Sequence, residues 1–143
     1  MSTEELRFAM DFDTPVRPPV FDVRIDGGRR DVTVVSASGE LDLAADPLLG
    51  ATLVQAETLG LPVLVDMTQV TFCASSTLSQ LAATATRSAR AGRPLVVASA
   101  EYAVIRPWVL LGLDGSLTVV TDVATALQRL GLPECFNCLD GHA

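Results

Sequence analysis

The chain of 143 residues contains no lysine, so all ten of its basic residues are arginines. Its 17 Asp and Glu residues outnumber them and give a formal net charge of −7 at pH 7. An acidic surface repels the phosphates of nucleic acids and of anionic lipids. We therefore expect no direct binding to nucleic acid or to a membrane. A protein partner with a basic surface is the more natural expectation.

Two further absences argue against an enzyme. A phosphate-binding loop of the G-x-x-x-x-G-K type needs a lysine, and the chain has none. The one histidine, His142, lies beside the C-terminus, so no hydrolase triad is available. We therefore predict that the protein is not an enzyme, with no catalytic residues, no metal site and no cofactor.

Long hydrophobic runs are also missing. No apolar stretch approaches the roughly 18–20 residues that a membrane helix needs. The N-terminus carries Glu4, Glu5, Asp11 and Asp13 and lacks the basic-then-apolar pattern of a secretory signal. We expect a soluble protein located in the cytoplasm.

The chain has only three cysteines, and an odd number argues against a secreted disulfide framework. Cys135 and Cys138 form a C-x-x-C motif, which occurs in redox couples and in half zinc sites. A zinc site would need further ligands, and only His142 is near. Two interpretations of the pair stay open: inert thiols, or a redox pair in a redox-sensing module or a small thiol oxidoreductase. Cys73 is predicted to be a small core residue.

Aromatic residues make up only 5% of the chain, whereas 49% of residues are hydrophobic. The core must therefore be aliphatic, and the length suits one domain. The prolines and acidic residues before position 20 show no sustained period, and the residues after 132 show none either. We predict a flexible N-terminal tail (residues 1–19), a domain (residues 20–132) and a loose C-terminal tail (residues 133–143).

Hydrophobic periodicity predicts strands and helices in alternation after an initial hairpin. This order is typical of an α/β fold with a mixed β-sheet of about five strands covered by about four helices. The predicted strands are residues 20–25, 31–38, 62–67, 94–98 and 117–120, and the predicted helices are residues 46–60, 76–90 and 101–111 and a last helix capped by Thr121 or Asp122.

Adjacent serines, Ser75 and Ser76, lie where a buried strand and a short polar bend give way to a helix. A hydroxyl at a helix start can cap the helix, and a phosphate there is electrostatically favourable. Both interpretations stay open for Ser75, whereas Ser76 fits a structural hydroxyl. Thr77 and Gln80 fit a capping box, with Thr77 as the cap. At the preceding helix, Asp46 fits the cap and Pro47 the first helical position.

Three motifs, in order, resemble those of the STAS domain, the domain of sulfate transporters and anti-sigma factor antagonists. Residues 39–42 (GELD) match the end of its second strand. Residues 65–78 (VDMTQVTFCASSTL) resemble its hydrophobic-D-hydrophobic and D-S-S-G-L pattern. Residues 112–113 (GL) match the end of its third helix. The resemblance covers about residues 20–132 and implies the STAS fold.

The resemblance also implies a function. Stand-alone STAS domains resemble anti-anti-sigma factors, which bind an anti-sigma factor that is also a serine kinase and are switched by phosphorylation of the first serine of the D-S-S run. By position, this is Ser75. The partner would be an anti-sigma factor of the serine kinase type, bound through Glu40, Asp42, Ser75, Ser76 and Thr77.

This chain departs from the family pattern at two positions beside the serine pair. The family aspartate before the serines is Ala74 here, and the family glycine after them is Thr77. Losing the carboxylate removes a charge beside the acceptor hydroxyl. A STAS binding module that is not phosphorylated is therefore an alternative prediction.

Overall fold

A computed structural model describes residues 20–133. Within that range the chain forms a hairpin and a helix, followed by three strand–helix pairs. The strands are β1 (Phe21–Asp26), β2 (Thr33–Leu41), β3 (Val63–Cys73), β4 (Leu95–Ala98) and β5 (Thr118–Val120), and the α-helices are α1 (Asp46–Thr58), α2 (Ser75–Arg90), α3 (Tyr102–Leu110) and α4 (Val123–Arg129). Short 3₁₀ turns, Leu43–Ala45 and Leu113–Gly115, precede α1 and β5.

The strands form one sheet in the order β1-β2-β3-β4-β5. β1 pairs with β2 in antiparallel orientation, and the other neighbours are parallel. Parallel neighbours need crossover connections, and α1, α2 and α3 supply them. The predicted fold class, a mixed sheet of five strands with four helices, is confirmed for the described residues.

Helices cover both faces of the sheet. Val63, Val65 and Met67 of β3 lie in the larger core cluster, which includes buried residues of α1, α2 and α3. Leu64, one residue out of phase, belongs to a smaller cluster with Leu127 of α4. Since alternate strand residues point to opposite faces, α1–α3 lie on one face and α4 on the other. Within the described range, no helix is long and apolar enough to span a membrane.

β3 is longer than the sequence indicated. The expected polar bend after residue 67 is part of the strand, which continues to Cys73. The pairing with β2 jumps from Ser36↔Asp66 to Ser38↔Gln69, so β3 carries one extra residue there. The Asp66 carboxylate accepts hydrogen bonds from the backbone N–H and the hydroxyl of Thr68, at 3.0 and 2.6 Å. The polar residues therefore form a β-bulge rather than a break.

Two predicted helix starts are wrong in detail, and one is confirmed. α1 begins at Asp46 itself, with Ala45 at the cap position, so Asp46 does not cap its own helix. α2 begins at Ser75, with Ala74 at the cap position, so Thr77 is not its cap. The carboxylate of Asp122 accepts a 2.7 Å hydrogen bond from the Thr125 N–H and caps α4 as expected.

A buried ion pair fastens the β1–β2 turn. The Arg29 side chain is 1% exposed and donates from two nitrogens to both carboxylate oxygens of Asp31. It also donates to the Pro133 carbonyl at 3.0 Å. The hydrogen bonds from Arg29 lower the pKa of the Asp31 carboxyl below its usual value, against the opposing effect of burial. This contact ties the residues after α4 to the hairpin.

The Arg29–Asp31 pair makes stability depend on pH. A carboxyl whose pKa is lower in the folded chain stabilises the fold above its unfolded pKa of about 4, and the contribution is lost as the pH falls through the folded pKa. We expect Asp31→Asn to lower the free energy of unfolding by about 1–3 kcal/mol at neutral pH. Urea unfolding over a range of pH measures this difference, which should shrink in acid.

Asp22→Asn is the matched control. Asp22 pairs with Arg24 at the same spacing, but both side chains are more than half exposed. Its removal should change the free energy of unfolding by at most about 1 kcal/mol. Equal losses from Asp31→Asn and Asp22→Asn would contradict the role given to the buried pair.

Candidate functional site

The ends of β2 and β3 bring the residues singled out in the sequence together. Leu41 pairs with Cys73, and the Ala74 N–H donates to the Leu41 carbonyl at 2.8 Å. α2 begins at the next residue, Ser75, whose side chain is exposed. The start of α2 therefore lies beside the end of β2, where Glu40 is also exposed.

No side chain caps the N-terminus of α2. Ala74 has extended backbone angles (φ −69°, ψ 154°) but no side-chain acceptor, and the first turn contains no acidic residue. A helix of 16 residues leaves unpaired N–H groups and a positive dipole end there. Within residues 20–133, the Ser75 hydroxyl has no hydrogen-bond partner. The site therefore presents an exposed, unpaired hydroxyl in a location that favours a negative charge.

The hydroxyls of the next two residues, Ser76 and Thr77, already donate hydrogen bonds to another side chain. Asp46, in the first turn of α1, accepts a 2.6 Å hydrogen bond from the Ser76 hydroxyl and a 2.7 Å bond from the Thr77 hydroxyl. Thr77 also lies 3.3 Å from the Leu41 carbonyl. Asp46 thus joins the starts of α1 and α2, a role that the sequence did not indicate. The hydrogen bond to Asp46 gives the Ser76 hydroxyl a structural partner, and contact of Ser76 with a binding partner stays a prediction.

Two predictions for Thr77 need correction. Its side chain is 0% exposed, so it cannot contact a partner directly. It also takes no part in a capping box, because it lies inside α2 as the third helical residue and its own N–H donates to the Ala74 carbonyl. The expected box partner, Gln80, instead lies over Gly50 of α1, where a Cβ atom would come within 2.5 Å of the Gln80 side-chain nitrogen. The close packing of α1 against α2 accounts for both differences.

Two exposed apolar residues lie in the segments that adjoin the start of α2, the end of β3 and the 3₁₀ turn after β2. Leu43 is 71% exposed and Phe72 is 45% exposed. Phe72 pairs with Glu40 across the strands, and Leu43 follows Asp42, whose carboxylate accepts from the Ala44 N–H at 3.0 Å and so caps the 3₁₀ turn. We call Glu40, Asp42, Leu43, Phe72 and Ser75 the Ser75 surface. Sequence reasoning missed Leu43 and Phe72, because apolar residues are expected inside and the bulges in β3 disturb its alternation.

Cys73 adjoins this surface, but its thiol is inert. Burial, together with the nearby charge of Asp46, raises the pKa of the Cys73 thiol to about 12. A thiol that stays protonated at neutral pH is a poor nucleophile. Cys135 and Cys138 lie outside the described residues. In residues 20–133, no group of three or more His, Cys, Asp or Glu side chains is placed to hold a metal ion.

A shallow cavity of about 260 Å³ opens elsewhere, along β1, β2 and β3. Two of its three charged lining residues, Arg24 and Asp66, already have partners. Arg24 forms an ion pair with Asp22, and Asp66 accepts from Thr68. The Ser75 surface is therefore the stronger candidate site.

A family model described as "Mlab, STAS domain" matches residues 26–122, well over half of the chain. The chain belongs to the STAS domain family. The matched residues run from the end of β1 to the residue before α4 and include the whole Ser75 surface. The resemblance predicted from the three motifs is confirmed. No curated protein sequence matches this STAS domain.

Solved structures share the fold. A crystal structure of an anti-sigma factor antagonist from Mycobacterium paratuberculosis is 26% identical, with a TM-score of 0.67, and the match covers 78% of this chain and 94% of that one. The anti-sigma factor antagonist SpoIIAA in its unphosphorylated form is 15% identical, with a TM-score of 0.64 and coverage of 78% and 99%. The phosphorylated form of SpoIIAA, described as a Bacillus cell fate determinant, is 16% identical, with a TM-score of 0.56 and coverage of 76% and 98%.

Gly39 allows the end of β2, which carries part of the Ser75 surface of this STAS domain, to pack closely against the start of β1. It has a φ of +86°, which favours glycine, and a Cβ atom there would lie 1.9 Å from the Val20 carbonyl oxygen. We expect Gly39→Ala to lower the free energy of unfolding by about 2 kcal/mol or more. Denaturant unfolding measures the loss.

Gly28→Ala is the control for this substitution. Gly28 lies in the β1–β2 turn, and no atom comes within 4 Å of a Cβ placed there. We expect a change of less than about 1 kcal/mol. The argument for Gly39 fails if the two variants lose the same stability.

Proposed function

We propose that this STAS domain is an anti-sigma factor antagonist that binds an anti-sigma factor of the serine kinase type and is released by phosphorylation of Ser75. The observation that carries the proposal is the exposed, unpaired Ser75 hydroxyl at the uncapped start of α2. The anti-sigma factor antagonist from Mycobacterium paratuberculosis, at 26% identity, supports the same role. Sigma factors act in the cytoplasm, so the proposal places the domain there.

Phosphorylation would proceed by attack of the Ser75 oxygen on the γ-phosphorus of ATP. The new O–P bond replaces the bond to the β-phosphate oxygen, ADP leaves, and a base on the kinase takes the hydroxyl proton. The phosphoserine carries about −1.5 to −2 charges at neutral pH. The unpaired N–H groups of α2 can donate hydrogen bonds to the phosphate oxygens, so the domain would stay folded.

Release of the partner would follow from the charge and size of the phosphate. In the unphosphorylated state the Ser75 surface offers two apolar side chains, Leu43 and Phe72, with the carboxylates of Glu40 and Asp42 beside them. An apolar centre with charged neighbours is typical of a protein-binding surface. A phosphate at Ser75 adds negative charge that a docked partner must desolvate.

Phosphorylation of Ser75 can be tested by reconstitution. We expect incubation with ATP and serine-kinase anti-sigma factors of the source organism, tested one by one, to add one phosphate to the wild-type protein. Ser75→Ala should accept none. Intact-mass measurement followed by tandem mass spectrometry identifies the modified residue.

Ser79→Ala is the control for that experiment. Ser79 is exposed and lies one helical turn further along α2. Its variant should be phosphorylated like wild type. The phosphorylation proposal is wrong if no kinase of the set adds phosphate to the wild-type protein, or if Ser75→Ala still gains it.

Partner binding should depend on the two exposed apolar side chains. We expect Leu43→Ala and Phe72→Ala each to weaken binding of the same anti-sigma factor by about tenfold or more, since buried apolar anchors dominate interface energies. Isothermal titration calorimetry of the unphosphorylated protein gives the dissociation constants. Leu59→Ala is the control: Leu59 directly follows α1 and is 54% exposed, and its variant should leave the dissociation constants unchanged. Unchanged affinity in both variants would place the interface elsewhere.

Ala74 favours a second candidate function, a STAS binding module that is not phosphorylated. Without a carboxylate before Ser75, one contact with a kinase is missing. Binding of an anti-sigma factor without phosphate transfer would select this module. A redox-sensing variant of it would depend on Cys135 and Cys138, because the Cys73 thiol is inert. The small thiol oxidoreductase likewise depends on that pair alone.

A further inference from the structure

We propose that Asp46 is a specificity-determining residue. It holds the hydroxyls of Ser76 and Thr77 in hydrogen bonds and leaves the Ser75 hydroxyl as the acceptor of the phosphate. The inference deepens the proposed function and rests on it. Three hydroxyls follow one another at the start of α2, and their chemistry is similar. Something must therefore direct a kinase to one of them, and the sequence neighbourhood supplies no carboxylate at position 74.

The hydrogen bonds separate the three hydroxyls. Ser76 and Thr77 each donate their proton to a different oxygen of Asp46, at 2.6 and 2.7 Å. Ser75 has no partner within the described residues and is exposed. Both occupied hydroxyls thus point toward α1. To attack ATP, the Ser76 oxygen would have to break a hydrogen bond to a charged group and rotate away from Asp46.

Electrostatics acts in the same direction. The Asp46 carboxylate repels the γ-phosphate of an approaching ATP, and it would repel a phosphate placed on Ser76 even more. The charge of Asp46 also contributes to the raised pKa of the neighbouring Cys73 thiol, so its field extends to the end of β3. The helix dipole favours added negative charge at both Ser75 and Ser76, but only Ser76 is hydrogen-bonded to the Asp46 carboxylate.

Burial alone already prevents phosphorylation of the Thr77 hydroxyl. Thr77 is 0% exposed, whereas Ser76 is half-buried. If Asp46 is lost, Ser76 is therefore the residue that gains reactivity, and Thr77 stays protected. This difference between the two hydroxyls gives the inference a specific signature, which a general loss of structure would not reproduce.

The test maps phosphate in Asp46→Ala, with and without Ser75→Ala, using ATP and the serine-kinase anti-sigma factors of the source organism. Tandem mass spectrometry gives the share of phosphate on each residue. We expect the share on Ser76 to rise by about tenfold or more in Asp46→Ala, in line with the loss of a hydrogen bond to a charged group. The double variant should accept phosphate on Ser76, whereas Ser75→Ala alone should accept none.

Two further variants control for folding and charge. Asp46→Asn keeps the size of the side chain and one carbonyl oxygen, and it replaces Asp46→Ala if the alanine variant loses its cooperative thermal transition. Asp114→Ala removes an exposed carboxylate from the 3₁₀ turn before β5 and should leave the distribution of phosphate unchanged.

The possible failures differ. If wild type and the folded Asp46 variants all carry phosphate on Ser75 alone, the inference is wrong and the proposed function stands. A uniform decrease at Ser75 with no gain at Ser76 also overturns it, since Asp46 would then serve kinase recognition or stability only. If the wild-type protein takes no phosphate from any kinase, both proposals fall.

Discussion

The parallel pairing of β2 with β3 is the constraint on which the Ser75 surface depends. It aligns Leu41 with Cys73, and the hydrogen bond from Ala74 to the Leu41 carbonyl starts α2 directly beside the end of β2. Two register shifts in this pair allow β3 to continue to that point. Backbone hydrogen bonds thus fix the geometry of this surface, so a partner of the proposed kind would meet a preorganised surface.

Environment, rather than residue type, distinguishes the three hydroxyls that follow. One faces solvent, and two face a carboxylate contributed by another helix. The family pattern carries its acid directly before the serines, whereas this chain has Ala74 there and Asp46 in α1. The two positions are distant in sequence but adjacent in the fold. In this chain the carboxylate beside the serines is therefore that of Asp46, which accepts from the hydroxyls of Ser76 and Thr77.

The periodicity of hydrophobic residues was enough to predict the order of strands and helices, because elements such as β4 and α2 each have a clear apolar pattern. It failed for β3, since each bulge moves the following residues to the other face. The pairing of Asp46 with Ser76 joins residues 30 positions apart, and no local pattern encodes it. The capping-box interpretation of Thr77 failed because α2 begins two residues earlier, which places Thr77 inside the helix with its hydroxyl donating to Asp46.

The position of Pro133 has a practical consequence. Its carbonyl is held by Arg29 in the β1–β2 turn, at the end of β2 opposite to Leu41. A nine-residue strand spans about 30 Å. A fluorophore or affinity handle fused after this proline would therefore start roughly that far from Ser75. One fused before Val20, whose carbonyl accepts from the Glu40 N–H, would crowd the Ser75 surface.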